Sequence, residues 1–255
     1  MYTLKKSLGQ HFLRDENIVA KIIATLRQRP FTQLLEIGPG GGALTRHLVD
    51  IPGIIFKAVE LDEEKIHFLE ANFPELKGKI IHDSILDISN PFSGRFTVIG
   101  NFPYNISSQI LFKVLEWRAD VDTVIGMFQK EVAQRVAAKH GNKTYGILSV
   151  LIQAFFDVEY LFEVHEQCFN PPPKVKSAVI RLTPRPVALP IRDEAFFFTL
   201  VKTAFNQRRK MLRNAVRNLF DEAILKNPIF DKRAEQLSVA DFVELSNGRE
   251  ELNSE

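Results

Sequence analysis

Along the first two thirds of the chain, short unbroken apolar runs alternate with stretches in which apolar residues recur every three or four positions. The runs at 33–37, 54–59, 79–82 and 95–99 are too short for helices and rich in β-formers, so each predicts a buried strand. Ile18, Ile22, Ile23 and Leu26 fall on one helical face and predict a helix over 17–29, with Asp15 as its N-cap. Further helices are expected at 63–72, 109–117, 130–139 and 145–156, and further strands at 123–129, 157–162 and 177–182. Strands alternating with helices in this way predict a parallel, doubly wound α/β sheet. Pro184, Pro186 and Pro190 mark a linker, and beyond it the spacing is helical only, over 193–205 and 208–220 and in short segments around 231–236 and 238–245. The expected division is an α/β domain over 1–186 and a small all-helical domain over 187–255.

Each strand ends in a residue with chemistry to offer. The first runs into Gly38-Pro39-Gly40-Gly41-Gly42, where glycines allow a tight turn and the following helix offers unsatisfied N–H groups. The spacing Gly38, Gly40, Ala43 also fits a dinucleotide fingerprint and so names no one ligand. The second strand ends at Glu60, twenty-two residues beyond Gly38, where a carboxylate accepts from both hydroxyls of a ribose. The third ends at Asp83, placed either to read an adenine amine or to cap the next turn. Together these ends describe a nucleoside crevice at the carboxyl edge of the sheet.

The fourth strand leads into Gly100-Asn101-Phe102-Pro103-Tyr104-Asn105-Ile106-Ser107. Pro103 fixes its own φ and keeps Phe102 out of the α region, so the chain leaves the strand as a stiff hook, and Ser107 or Ser108 is expected to cap the next helix. The Asn101 side-chain oxygen and the Phe102 carbonyl are two acceptors beside the ring of Tyr104. An exocyclic adenine amine has two N–H donors and a delocalised lone pair. Two acceptors localise that pair, and a flat ring stacks on the base.

Composition adds boundaries. The chain has 255 residues, 45% hydrophobic and 25% charged, with a formal net charge of +2, ordinary for a folded protein. The single cysteine, Cys168, excludes an intrachain disulfide, and the six histidines lack ligand spacing, so no metal is expected. No segment reads as a signal peptide or membrane span, and a cytoplasmic protein is expected. The charge is uneven: 201–220 carries six cations and no acid, with Arg209, Arg213 and Arg217 at helical spacing. A cationic stripe without interleaved carboxylates suits phosphate as well as solvent. The basic segment 5–13 reads either as a flexible arm or as a flap over a ligand, and Phe169 with Pro171-Pro172-Pro173 as a spacer or a pocket wall with Phe169 facing a base.

Five segments, Gly9–Leu13, Glu36–Gly40, Asn101–Ser107, Phe169–Ser177 and Phe205–Lys210, resemble in order and spacing the KsgA-type ribosomal RNA small-subunit adenine dimethyltransferases. The resemblance covers nearly the whole chain. It implies a Rossmann-like methyltransferase domain, S-adenosylmethionine as methyl donor, and N6,N6-dimethylation of two adjacent adenosines in the 3′-terminal hairpin loop of 16S rRNA within the immature 30S subunit. By position, His11, Leu13, Gly38, Glu60, Asp83 and Asn101 would contact the donor. Asn101, Phe102, Pro103 and Tyr104 would form the catalytic hook, and Arg208, Arg209, Lys210, Arg213 and Arg217 would bind RNA. The family commonly has Asn in place of His11 and Leu in place of Phe102.

Three other readings stay open on the sequence: a large-subunit (23S) rRNA adenine methyltransferase of the macrolide-resistance type, an NAD(P)-dependent dehydrogenase, and a ribosome-assembly factor that docks without catalysis. Nothing in the sequence requires an obligate dimer, and a monomer is expected.

Overall fold

The computed structural model describes residues 11–251, with side chains through Gly248. The basic residues 5–10 and the tail beyond 251 lie outside the described residues. The chain separates into two compact units, one of residues up to Ala133 with Val158–Pro184, the other of Gln134–Asp157 with the residues from Arg185 onward. A single cut at 186 therefore misplaces 134–157.

In the first unit β1 (Phe12–Leu13) precedes α1 (Glu16–Leu26), followed by β2 (Gln33–Ile37), α2 (Thr45–Leu48), β3 (Ile55–Glu60), α3 (Glu63–Asn72) and β4 (Ile80–His82). Then come β5 (Phe96–Asn101), α4 (Ser107–Glu116), β6 (Val121–Gln129) and α5 (Lys130–Ala137), which runs on into the second unit; α6 (Ile147–Phe155) belongs to that second unit, and β7 (Phe156–Val164), β8 (Phe169–Asn170) and β9 (Ser177–Pro184) return to the first. Asp15 caps α1 as expected, accepting from the amides of Asn17 and Ile18. Val19, Ile22, Ile23 and Leu26 of α1 are buried in the core. Neither Ser107 nor Ser108 caps α4 through its side chain. A 3-10 turn over Tyr104–Ile106 runs directly into the helix, and the Ser107 hydroxyl donates back to the Tyr104 carbonyl.

The main sheet has the order β4-β3-β2-β5-β6-β9-β7. Strands β4 to β6 pair in parallel and β9 pairs antiparallel to β6. Chain order reverses between β2 and β5, which makes the carboxyl ends of those two strands the switch point where a parallel sheet opens a crevice. The central strands β2, β5 and β6 are buried along most of their length, which is why they read as continuous apolar runs, whereas the edge strand β4 is part-exposed.

A two-stranded pairing of β1 with β8 ties the start of the described chain to the proline segment, with Phe12 opposite Asn170 and Leu13 opposite Phe169. Phe12–Leu13 is thus paired strand, with His11 held beside it by its contact with the Pro171 carbonyl, and not a loose arm. Phe169 is 1% exposed and packs in the core with Leu13, so it does not face a base. Apolar burial of a full aromatic side chain outweighs any benefit of leaving it in the pocket wall.

The second unit contains α7 (Glu194–Asn206), α8 (Leu212–Ala215), α9 (Glu222–Leu225) and α10 (Val239–Glu251). Its core is aromatic: Tyr145 meets Phe205 edge-on, Phe205 lies against Phe242, and Phe220 meets both Phe196 and Phe230. Tyr145 and α6 contribute to this core, and the Gln153 amide donates to the carbonyls of Val136 and Ala138. The Gln153 bonds tie α6 to the end of α5, and the Tyr145–Phe205 contact joins 134–157 to the residues beyond the linker, although the sequence places 134–157 between strands.

The expected helix over 208–220 does not form, so Arg209, Arg213 and Arg217 are not a stripe along one helix. α7 ends at Asn206, Lys210 N–H closes a turn on the Gln207 carbonyl, and α8 is a single turn whose Leu212 N–H bonds to the Lys232 carbonyl. Leu212, Ala215, Val216 and Phe220 are still buried, so turns satisfy the same apolar spacing as a helix. Asn206, Asn214 and Asn218 favour turns because their side chains compete for backbone partners.

Candidate active site

Three strand ends are brought into line by the register. Ile37 lies beside Val59, Glu60 beside His82, and Gly38 N–H bonds to the Val59 carbonyl at 3.0 Å. Gly38, Gly40 and Gly42 all have positive φ, and a Cβ built on Gly40 would lie 3.1 Å from the Phe12 ring. A Cβ on Gly38 would lie 3.5 Å from Pro103. The glycine turn and the hook after β5 therefore meet across the switch point.

Between them is a cavity of about 190 Å³. His11, Leu13, Gly38, Glu60, Asp83 and Asn101 all line it, as do Phe102, Pro103 and Tyr104. The nine residues singled out in this half of the chain thus share one wall system, although they span more than ninety positions.

The hook is held from both sides. Phe102 N–H bonds to the Met127 carbonyl at 3.1 Å, and Pro103 adopts φ −56° and ψ 127°, the extended geometry its ring favours. The Phe102 ring is 1% exposed and meets Phe128 edge-on at 5.0 Å. It fits because two neighbours are glycine: a Cβ on Gly100 or Gly126 would lie within 2.7 Å of that ring. The side chain is core, and Phe102 nonetheless lines the cavity.

Asn101 is half-buried, and its Nδ2 donates to the His11 carbonyl at 2.9 Å, which orients the amide and leaves Oδ1 as its acceptor. The His11 ring contacts the Pro171 carbonyl through Nδ1 at 2.9 Å and forms a tilted pair with Tyr104, centroids 5.4 Å apart. The Tyr104 hydroxyl hydrogen-bonds to Ser177 Oγ. Burial pushes the Tyr104 phenol above its usual pKa, with the Ser177 bond acting the other way, so the ring stays neutral.

The acidic groups differ among themselves. Glu60 is 7% exposed; its Oε1 accepts from the amides of Leu61 and Asp62 at 3.0 Å, and Lys65 Nζ lies 3.7 Å from Oε2. Asp83 is exposed, with Oδ1 accepting from Ser84 N–H at 2.7 Å, so it both caps a turn and presents its other oxygen. Glu36 received no role from the sequence, yet it lines the cavity and its Oε2 accepts from the Thr45 hydroxyl at 2.8 Å. Burial, and then the nearby Glu60 charge, raise its pKa to about 8, while the Thr45 bond lowers it. A charged residue inside the apolar run Leu34–Ile37 was the available signal.

The lining suits an adenosyl sulfonium. Three carboxyl groups surround a site whose ligand would bring a positive centre, a ribose diol and an amine, and apolar residues such as Ile37, Val59 and Ile85 flank them. Among the described residues, no group of three or more His, Cys, Asp or Glu side chains is arranged to hold an ion, and no helix is long and apolar enough to cross a membrane.

In the second unit Arg208, Arg209, Lys210 and Arg217 are exposed. Arg208 donates to the Lys143 carbonyl, and half-buried Arg213 pairs with Asp231. Arg213 is therefore spoken for within the unit.

The family model for ribosomal RNA adenine dimethylases matches residues 1–250. A curated relative, the ribosomal RNA small subunit methyltransferase A of Cytophaga hutchinsonii, is 52% identical over 95% of this chain and 96% of its own length. Among solved structures, a dimethyladenosine transferase from Plasmodium falciparum superposes with a TM-score of 0.79 at 24% identity, covering 95% of this chain and 98% of that one. The 23S rRNA methyltransferase ErmE superposes at 0.67 with 26% identity, covering 92% and 99%. With the matched region running through both units and the switch-point cavity in place, the chain belongs to the ribosomal RNA adenine dimethylase family.

Proposed function

We propose that the protein transfers methyl groups from S-adenosylmethionine to N6 of two adjacent adenosines in the 3′-terminal hairpin loop of 16S rRNA, dimethylating each during assembly of the 30S subunit. It acts in the cytoplasm on immature subunits, as a monomer. The observation that carries this reading is the single cavity in which the Gly38 turn, Glu60 and Asp83 meet the Asn101–Tyr104 hook. Identity favours the small subunit: 52% to the methyltransferase A relative against 26% to ErmE. Family membership also sets aside a dehydrogenase.

The donor brings a methyl already activated by positive sulfur, which leaves as a neutral thioether when carbon bonds to N6, so the chain supplies alignment in place of a nucleophile. Glu60 holds the ribose hydroxyls and Asp83 the donor's adenine amine, with Gly38 allowing close approach of the backbone. His11 and Leu13 close the cavity from β1, the His11 contact being made by its backbone as well as its ring. Asn101 Oδ1 and the Phe102 carbonyl accept hydrogen bonds from the two N6–H groups in the first transfer, and one of them from the single remaining N6–H in the second, which aims the lone pair each time; Pro103 keeps those acceptors fixed. Tyr104 stacks on an adenine already unpaired in a loop, where flipping costs least. One N6 proton passes to water as each methyl is added. Arg208, Arg209, Lys210 and Arg217 bind RNA phosphates.

The decisive measurement is transfer from labelled donor into small subunits lacking the modification, with the labelled positions mapped in the RNA. Two adjacent dimethyladenosines near the 3′ end are expected. Label in large-subunit RNA alone, or none with donor bound, would reject the proposal.

A further inference from the structure

Breaking the helix at 207–211 changes which residues of the cationic segment stand together. Arg213 turns to Asp231, while Gln207, Lys210, Asn214, Ala215, Arg217 and Asn218 come to line a separate depression of about 420 Å³ in the second unit. Two cations and three carboxamides line it, with no carboxylate and with Ala215 as its one apolar residue. Lys210 and Arg217 are exposed, and among the described residues neither has an ion-pair partner. Gln207, Asn214 and Asn218 are exposed as well.

That combination is selective about what it can hold. Small-molecule sites are mostly apolar with a few polar groups, the reverse of this lining. A phosphate satisfies the cations but not the carboxamides, whose paired donor and acceptor match the edge of a base, adenine N6 and N7 above all. A base edge and a phosphate occur together, within reach of one pocket, in an unpaired nucleotide.

We propose that this pocket takes one unpaired nucleotide of the RNA substrate, with Lys210 and Arg217 on its phosphate and Asn214 and Asn218 on its base edge, adenine preferred. The inference rests on the chain being an RNA methyltransferase, and it adds a second reading head remote in sequence from the residues of the methyl-transfer cavity. Grip by charge alone would be indifferent to sequence. Carboxamides add a preference, in keeping with RNA recognition through splayed single-stranded bases.

The test is binding of fluorescent oligo(rA), oligo(rU) and oligo(rC) to the full chain across a salt series, without donor. The unsubstituted protein should bind oligo(rA) at least about fivefold more tightly than oligo(rU). N214A/N218A should remove that preference and keep the salt slope. K210A/R217A should reduce the slope by about 0.7 for each phosphate no longer neutralised. Arg209→Ala, outside the pocket, should weaken binding without altering base preference. An unchanged preference in N214A/N218A, or an unchanged slope in K210A/R217A, overturns the proposal. All four side chains are exposed, and melting curves matching the unsubstituted protein exclude misfolding. Methyl transfer into small subunits is read separately, so failure of the pocket and failure of the proposed reaction are distinguishable.

Discussion

Asn101 Nδ2 donates to the backbone carbonyl of His11 at 2.9 Å, across ninety positions of sequence. The bond fixes which end of the amide faces the cavity. The group that reaches Asn101 belongs to the main chain, so the tether does not depend on the side chain carried at position 11. Asn101→Ala removes both the acceptor and the tether. By analogy with loss of one preorganised hydrogen-bonding group, turnover should fall roughly 10² to 10³-fold, with donor still bound by calorimetry. Near-normal dimethylation by a donor-loaded variant would defeat the alignment mechanism.

Tyr104 offers a cleaner separation of ring from hydroxyl. Tyr104→Phe keeps the stacking surface and loses the bond to Ser177, so it should retain most activity. Tyr104→Ala loses the platform, and base stacking of about 1–3 kcal/mol should disappear from RNA affinity or turnover. Equal defects in the two variants would assign Tyr104 a structural role.

The ring of Phe102 depends on Gly126. A Cβ there would meet that ring at 2.6 Å and Phe128 at 2.5 Å, so Gly126→Ala should destabilise the fold by about 1–3 kcal/mol and displace the hook. Thermal melting and single-turnover transfer read the two effects. A variant with unchanged melting temperature and rate would show that the core yields without cost.

Glu36 makes stability depend on pH. Its folded pKa of about 8 stands above the ordinary 4.5, so the native state holds a proton that the unfolded chain has released. The contribution is undiminished below about pH 4.5 and is lost as pH rises towards 8, at a slope up to about 1.4 kcal/mol per unit. Glu36→Gln should remove that part of the slope. Denaturation midpoints at pH 5, 6.5 and 8 should therefore spread more widely in the unsubstituted protein than in the variant. Parallel profiles would show that Glu36 is ionised when folded.

Arg209 and Arg213 should behave differently despite their helical spacing. Arg209→Glu, at an exposed site, should weaken RNA binding and reduce its salt dependence. Arg213→Ala breaks the pair with Asp231 and should cost stability by about 1 kcal/mol or less, with a smaller effect on RNA. Identical salt slopes for both variants would restore a shared phosphate-binding role.

The central strands were legible because burial on both faces writes a continuous apolar run: 33–37 coincides with β2, and 95–99 starts one residue before β5 and stops two short of its end at Asn101. The helix over 63–72 was equally plain. The stretch 208–220 was not, since buried turns can place Leu212, Val216 and Phe220 inward at the same intervals as a helix. Phe169 was ambiguous for a related reason: an aromatic residue beside prolines can face a base or the core, and its pairing with Leu13 decided for the core.

Taken alone, the sequence determined the alternation of strand and helix, the glycine turn, the carboxylates at strand ends and the stiff hook, because each follows from local periodicity or from the covalent limits of Gly and Pro. Tertiary structure decided what no local rule contains: that the His11 carbonyl orients Asn101, that Gly126 makes room for Phe102, that Glu36 sits among the site's carboxyls, and that Lys210 and Arg217 share a pocket without Arg213. Those relationships join residues far apart in the chain or broken from a common helix, and only packing against a shared core fixes them.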